Sequence, residues 1–375
     1  MTTLPSKNNA NQTTHAAKAQ AESRAENSAS NLELGLVNAW QKQAWWLWLL
    51  WPFSGLYGAV TYLRRKLYKT GVLSSYKAPV PVLVVGNITV GGSGKTPLII
   101  ALVNYLQQQG IIVAVISRGY GGDESAMPQV VTVDSKPSDV GDEPCLIVRE
   151  TQAVVAVCPN RQQAIASIMQ YQPATELIIA DDGLQHYKLQ RDLEWIVVDC
   201  ARGFGNKQLL PTGFLREPIR RLRQGTVIYH QSPTKFNADS APSAEPKLTM
   251  HLQPGKLTPL LAHQAAINPA TVNQVYAVSG IGYPQRFFNT LSALGYEVIE
   301  KPMPDHHQFT AQDLASLTEY PVVITSKDAV KIAPLVASSP ELQQLSIWVL
   351  PVQAVLSQPC YRTLMSQLAS LGINS

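Results

Sequence analysis

Apolar residues in this chain gather in short, β-branched runs separated by longer mixed stretches. Residues 80–85 (VPVLVV), 111–116 (IIVAVI), 154–157 (VVAV), 177–180 (LIIA) and 195–198 (WIVV) are nearly unbroken rather than alternating. A strand that is apolar at every position has both faces covered, as in a mostly parallel sheet with helices on either side. Residues 95–108 read as the helix after the first run. Past residue 248 the runs at 275–279, 322–325 and 346–350 predict further strands, with helices at about 284–294, 310–317 and 355–371. The pattern predicts an α/β protein with a core at 71–230 and a smaller C-terminal α/β domain at 248–375. Residues 231–247 (QSPTKFNADSAPSAEPK) are polar and rich in Pro and Ser, the composition of a surface loop. Residues 1–32 read as a disordered polar tail rather than an export signal.

One segment departs from this rhythm. From Gln43 to Leu63 run 21 residues without a charge, including Trp45, Trp46, Trp48 and Trp51, and Arg64, Arg65 and Lys66 follow directly. The length approaches that of a bilayer span, but Pro52, Ser54, Gly55 and Gly58 argue against a single straight helix. Clustered tryptophans favour the headgroup interface, and the basic triplet suits anionic lipid. Residues 33–70 are therefore expected to touch a membrane surface. Packing on the protein's own core and a true span are the other readings.

Bulk composition changes this picture little. The chain has 375 residues, 45% hydrophobic, with a formal net charge of +4. That mild excess suits phosphate ligands or an anionic membrane and does not imply nucleic acid. Four cysteines, at 145, 158, 200 and 360, have neither redox nor zinc spacing, which fits a reducing compartment.

Specific chemistry enters at residues 85–97 (VGNITVGGSGKTP), which join the first strand to the first helix. Gly91, Gly92, Ser93, Gly94, Lys95, Thr96 and Pro97 predict a P-loop NTPase-like core. Glycines allow backbone N–H groups to converge on phosphates, and the helix start adds positive potential. Lys95 would reach the β- and γ-phosphates of ATP, and the Thr96 hydroxyl would hold Mg²⁺. The usual pattern wants glycine at position 89, where this chain has Thr89, and Val90 excludes the variant with lysine there. Asp181 and Asp182 end the run at 177–180, where an acidic partner for the metal belongs. Asp-Asp-Gly is also a plain turn sequence. Arg118, directly after the second strand, could clamp a phosphate bidentately or form a salt bridge at its glycine turn.

Further segments extend the pattern: 117–122 (SRGYGG), 140–144 (VGDEP), 181–186 (DDGLQH), 209–218 (LLPTGFLREP), 279–288 (SGIGYPQRFF), 304–307 (PDHH) and 325–330 (TSKDAV). With the phosphate loop, these resemble the tetraacyldisaccharide 4′-kinase family of lipid A biosynthesis, in order from about 85 to 330. The tail and the loop at 231–247 have no part in the resemblance. It implies ATP- and Mg²⁺-dependent phosphorylation of the 4′-hydroxyl of a tetraacyl-disaccharide 1-phosphate at the cytoplasmic face of the inner membrane. It also makes Thr89 the family's own form of the loop.

By the same resemblance, Asp142 is the expected base, with His306 as its partner and His307 as the fallback. Arg216 and Glu217 would contact substrate or nucleotide near a cleft between the domains. His186 would lie near the metal and phosphate end, or else simply close a turn. Lys327 and Asp328 read equally well as a helix cap beside a solvated lysine, and Asp305 as a cap for the loop around His306. A membrane-associated P-loop ATPase switch acting on a protein partner is the rival reading. Against it stand Val90, the candidate base and the second domain. Oligomeric state is left open.

Overall fold

The computed structural model describes residues 35–36, 39–40, 42–231, 247–261 and 267–374. The tail expected over 1–32 and nearly all of the loop expected over 231–247 lie outside the described residues.

In chain order the strands are β1 (Val82–Gly86), β2 (Val113–Ser117), β3 (Gln129–Val131), β4 (Val154–Val157), β5 (Leu177–Asp181), β6 (Leu193–Asp199) and β7 (Thr226–His230). After these come β8 (Thr249–Pro254), β9 (Thr258–Pro259), β10 (Gln274–Ser279), β11 (Glu297–Pro302), β12 (Val322–Thr325), β13 (Ile347–Leu350) and β14 (Val352–Leu356). The helices used below are α1 (Trp51–Lys69), α2 (Lys95–Gln108), α3 (Asp142–Thr151), α4 (Arg161–Tyr171), α5 (Pro284–Ala293), α6 (Ala311–Ala315), α7 (Ser326–Ser338) and α8 (Gln358–Ser370).

Nine strands form one sheet in the order β14-β8-β7-β6-β1-β5-β2-β4-β3, parallel from β8 to β4 with an antiparallel strand at each edge. Side chains on β1 alternate between two cores. Leu83 and Val85 join Leu98, Leu102 and Leu106 of α2, whereas Val82 and Val84 join Ala164, Ile165 and Ile168 of α4. Both faces are dry, which is why these strands read as unbroken apolar runs. The second sheet has the order β11-β10-β12-β13-β9 and is parallel except for β9.

A division at residue 248 does not follow the sheets. β8 and β14 pair antiparallel, Val352 opposite Pro254 and Leu356 opposite Met250, as part of the nine-stranded sheet. Cys360, Leu364 and Leu368 of α8 pack in the same core as α2, and Trp195 of β6 donates its indole N–H to Gln367 at 2.9 Å. The second sheet is thus inserted between β8 and β14. These two half-polar strands (TMHLQP and VQAVL) carry none of the continuous apolar signal, so the sequence pattern passed over them.

The Trp-rich segment also differs from expectation. Its break falls between a 3₁₀ turn over Trp45–Leu50 and α1, and α1 is continuous. Pro52 occupies the first helical turn, where a missing N–H costs nothing. Gly58 brings the helix against the loop before Arg216: a Cβ there would lie 2.9 Å from Leu209 Cδ1. Buried Ser54 donates to Thr212 Oγ1 at 2.7 Å, and Tyr57 donates to the Arg216 carbonyl at 3.1 Å. The other side of the segment is open, with Trp45 77% exposed and Leu49 70%. Among the described residues no helix is long and apolar enough to cross a membrane.

Candidate active site

β1 ends at Gly86, and the chain turns through residues 87–94 into α2, which begins at Lys95. Gly91 and Gly94 have φ of 89° and 91°, a region open to glycine at no steric cost. A side chain at either would also collide with Arg202 or His230. Thr89, in place of the usual glycine, is buried and accepts a hydrogen bond from Asn87 Nδ2 at 3.2 Å, while its backbone bridges to Leu215. The side chain at 89 thus braces the loop internally through Asn87, while the backbone at 89 ties the loop to the 209–217 segment. Asn87 Oδ1 lies 3.4 Å from Lys95 Nζ.

Lys95 Nζ stands 3.5 Å from Asp182 Oδ1, and Arg216 donates to Asp182 Oδ2 at 3.0 Å. Burial alone would raise the Asp182 carboxyl, but the charges of Lys95 and Arg216 draw it down to about 2. Its neighbour behaves oppositely. Asp181 ends β5 and is pushed up to about 7 by burial and by the charges of Glu143 and Asp182. Ser117, at the end of β2, donates to Asp181 Oδ2 at 3.3 Å. Asp181 Oδ1 and Ser93 Oγ are buried and find no hydrogen-bond partner among the described residues.

Asp142 opens α3 directly after Gly141, whose φ of 92° and close approach to the Tyr120 carbonyl fit it against the turn that follows β2. The Asp142 carboxylate reaches across to the inserted sheet. His306 Nδ1 is 3.2 Å from both of its oxygens, Lys331 Nζ is 3.4 Å from Oδ2, and Lys327 Nζ is 3.9 Å away. Burial would raise this carboxyl, but the His306 hydrogen bond and the Lys327, His306 and Lys331 charges hold it well below the usual carboxylate range. For His306, burial acts downward and is outweighed by the hydrogen bond to Asp142, so the imidazole is raised. The pair is ionic whenever His306 is protonated.

His306 has a φ of 59° and its N–H is held by the Gly280 carbonyl and by Asp305 Oδ1, both at 3.1 Å. Its ring meets Tyr120 edge-on with centroids 4.8 Å apart. His307 points elsewhere, to Asp313 at 3.1 Å and to the Phe309 ring. Lys327 is not a solvated lysine. It pairs with Glu143 at 3.1 Å and approaches Asp305 at 3.8 Å, and these acids with Asp142 raise it against the effect of burial. Asp328 is buried, accepting from Thr325 Oγ1 at 2.7 Å and from the Gly280 N–H at 3.2 Å, and so shapes the His306 loop from beneath.

Three expected site residues lie apart from this cluster. Arg118 is 60% exposed and pairs with Glu124 at 3.3 Å, the salt bridge at its glycine turn. Glu217 does not face the phosphate loop. Its oxygens accept from Gln185 at 2.9 Å and Tyr187 at 2.6 Å, and Arg221 Nε is 3.2 Å away, so it is a buried structural hub. His186 lies among Arg161, Arg191, Arg64 and Lys188, which with burial lower it to about 4. Cations on every side oppose a bound Mg²⁺ there.

A family model described as tetraacyldisaccharide-1-P 4′-kinase matches residues 46–369. The chain belongs to that family. A tetraacyldisaccharide 4′-kinase from Psychrobacter cryohalolentis is 57% identical over 365 residues, covering 92% of this chain and 98% of the relative. One from Pasteurella multocida is 41% identical over 331 residues, covering 88% and 97%. Among solved structures, the "apo" form of LpxK from Aquifex aeolicus in complex with ATP matches with a TM-score of 0.67 at 26% identity, covering 87% of this chain and 99% of that one. All are kinases, and the switch reading is set aside.

Within a tetraacyldisaccharide 4′-kinase, several residues of the cluster escaped sequence reasoning. Asn87 lies inside the loop motif, and Ser117 closes a strand, so position alone could have singled them out. Arg161 could not have been found so easily. It is buried at the start of α4 and donates to the carbonyls of Asp181 and Cys158, both at 3.2 Å, fixing the end of β5. Lys331 lies one helical turn beyond Lys327, and the i, i+4 spacing was its only signal.

Proposed function

We propose that this chain transfers the γ-phosphate of ATP to the 4′-hydroxyl of a tetraacyl-disaccharide 1-phosphate, with Asp142 accepting the hydroxyl proton. The observation that carries the reading is the placement of Asp142. An ionised, buried carboxylate from the first sheet is held by His306, Lys327 and Lys331 from the inserted one, on the acidic side of a phosphate loop. Phosphoryl transfer depends chiefly on positioning and charge neutralisation, so a carboxylate of low basicity suffices provided it is fixed. His306 fixes it through both oxygens. Lys95 supplies positive charge at the γ-phosphate.

Mg²⁺ fits beside Thr96 at the Asp181–Asp182 pair. Burial and neighbouring acids push Asp181 upward, and its Oδ1 has no hydrogen-bond partner among the described residues, a donor set that a hard divalent cation satisfies. When bound, the ion would neutralise charge on the β- and γ-phosphates. Arg216 holds Asp182 in place.

The test is to supply purified protein with ATP and the lipid disaccharide and to follow both. A phosphorylated lipid should appear, with ATP consumption strictly dependent on the acceptor. Equal ATP hydrolysis without lipid, and no lipid product, would overturn the kinase reading.

The exposed face of the 45–63 segment serves as a monotopic contact with the cytoplasmic leaflet of the inner membrane. Trp45, Trp48, Leu49, Trp51 and Phe53 are exposed there, and Lys66 and Lys69 lie in the last turn of α1. Replacing Trp45, Trp48 and Leu49 together by Ser should lower the fraction that co-sediments with anionic vesicles several-fold, with turnover on detergent-dispersed substrate retained. An unchanged bound fraction would place the contact elsewhere. Deleting the segment is a poorer experiment, because Leu47, Ser54 and Tyr57 support the 209–217 loop.

A further inference from the structure

A histidine that takes no part in the acidic cluster touches the phosphate loop from the sheet side. His230 is the last residue of β7, and its Nδ1 lies 2.9 Å from the Ser93 carbonyl oxygen. Neighbouring strands hold it on both sides. Asp199 of β6 stands opposite it, the Cys200 N–H donates to its carbonyl at 2.9 Å, and Met250 of β8 pairs with it across the other edge. The residue is buried. Burial, helped by the charge of Arg286, outweighs the Ser93 hydrogen bond and Asp199 and draws the ring down to about 4. The imidazole is therefore neutral near pH 7, with a proton on one nitrogen. A carbonyl oxygen only accepts, so that nitrogen is Nδ1 and His230 is the donor.

Holding a carbonyl also aims the N–H beyond it. The Ser93–Gly94 peptide is trans, and the C=O and N–H of a planar trans peptide point in opposite directions. With the Ser93 oxygen drawn to β7, the Gly94 N–H is turned away from β7. Gly94 makes this contact possible, since a Cβ there would lie 2.9 Å from His230 Nδ1. It also makes the contact necessary: glycine accepts either sign of φ, so an unheld peptide at this position could turn over. Ser93 Oγ is buried and has no hydrogen-bond partner among the described residues, so polar groups at this point of the loop await a ligand.

We propose that His230 is a positioning residue for the phosphate loop: its Nδ1–H fixes the Ser93–Gly94 peptide so that the Gly94 N–H faces the bound triphosphate. The inference rests on the kinase reading in taking residues 91–96 to hold ATP. That N–H meets phosphate before and during transfer alike, so its loss weakens binding rather than chemistry.

His230→Leu and His230→Asn separate this role from simple packing. Leucine fills the space and cannot donate, whereas the smaller asparagine carries an amide N–H that can reach the place of Nδ1. His230→Leu should weaken ATP roughly three- to tenfold, the worth of about one hydrogen bond, read by calorimetric titration. KM for ATP should rise by the same factor, with kcat within about twofold of wild type. Inorganic tripolyphosphate should weaken in parallel, because the contact is to phosphate, and KM for the lipid should not change. His230→Asn should bind both probes as the wild type does. His230→Phe is the second donor-free variant should Leu impair folding. Unchanged ATP affinity in a folded donor-free variant, or weakening in His230→Asn as great as in His230→Leu, would overturn the proposal. Failure of the kinase reading would show separately, as wild-type protein that binds ATP and makes no phosphorylated lipid.

Discussion

Asp142→Asn is expected to lower kcat by roughly 10²–10⁴-fold, the range typical for loss of a positioned proton acceptor, while KM for ATP stays within about threefold. The substitution is nearly isosteric. A side-chain oxygen at 142 can still accept from the Glu143 N–H at the start of α3 and from His306. What disappears is the charge and the capacity to take the hydroxyl proton. Asp142→Ala would be harder to interpret. It would leave Lys331, 5% exposed at its side chain, without its nearer carboxylate. Stripping one partner from a buried ion pair costs about 3–5 kcal/mol. Steady-state kinetics on the Asn variant, with a melting curve beside it, decides the matter. Turnover near wild type would remove Asp142 from the mechanism.

The same pair fixes a pH dependence. Asp142 is depressed, so its contribution to stability is present above the unfolded carboxylate pKa of about 4 and is lost only as the pH falls through its lower folded value. His306 is raised, so its contribution is complete below about 6.5 and is lost as the pH rises through its higher folded value. The charge pairing between the two sheets is therefore fullest from about pH 4 to 6.5 and weakens on the alkaline side.

Lys95→Ala is the second large effect: we expect kcat to fall on the order of 10²–10³-fold, as for removal of one preorganised donor to developing charge. Lys95 begins α2 and is the cation nearest Asp182 Oδ1. Without it Asp182 keeps only Arg216, and the Asp182 carboxyl should rise from about 2. Lys95→Met, which keeps the aliphatic stem, should fall as far in kcat as the Ala variant, because the ammonium and not the stem carries the effect. Rates equal to wild type would mean that residues 91–96 do not hold the triphosphate.

What the sequence disclosed follows from how local each signal is. The phosphate loop is contiguous: strand, glycines, Lys95, Thr96 and helix lie within 27 residues from Val82 to Gln108, and their order along the chain reveals it. Asp181 and Asp182 were legible because an acidic pair closes an apolar run. The setting of Asp142 was not legible in the same way, since His306 is 164 positions away and Lys331 further still. The register of α7 brings Lys327 and Lys331 to that carboxylate, and the loop after β11 brings His306. Glu217 shows the converse failure. It is adjacent to Arg216, but the two residues stand at a bend, where both backbone N–H groups turn to the Ile88 carbonyl and the side chains part. Arg216 therefore meets Asp182, while Glu217 turns inward to Tyr187 and Gln185. The half-polar strands β8 and β14 were invisible for want of a continuous apolar run, and with them the true limits of the second sheet.

The pairing of β8 with β14 has a consequence for how such an enzyme can change. The chain leaves the nine-stranded sheet at Pro254 and re-enters opposite it at Val352. The intervening module has its two ends side by side, the arrangement that lets one domain be spliced into a surface turn of another. Yet the carboxylate proposed to take the proton, Asp142, belongs to the host, and the imidazole that holds it, His306, to the guest. A lineage could lengthen, shorten or retune the guest's outer loops freely, but exchanging it wholesale would part the proposed proton acceptor from the histidine paired with it. Drift in this family should therefore be uneven within the module, fast at its periphery and slow along the seam where Asp142 meets His306.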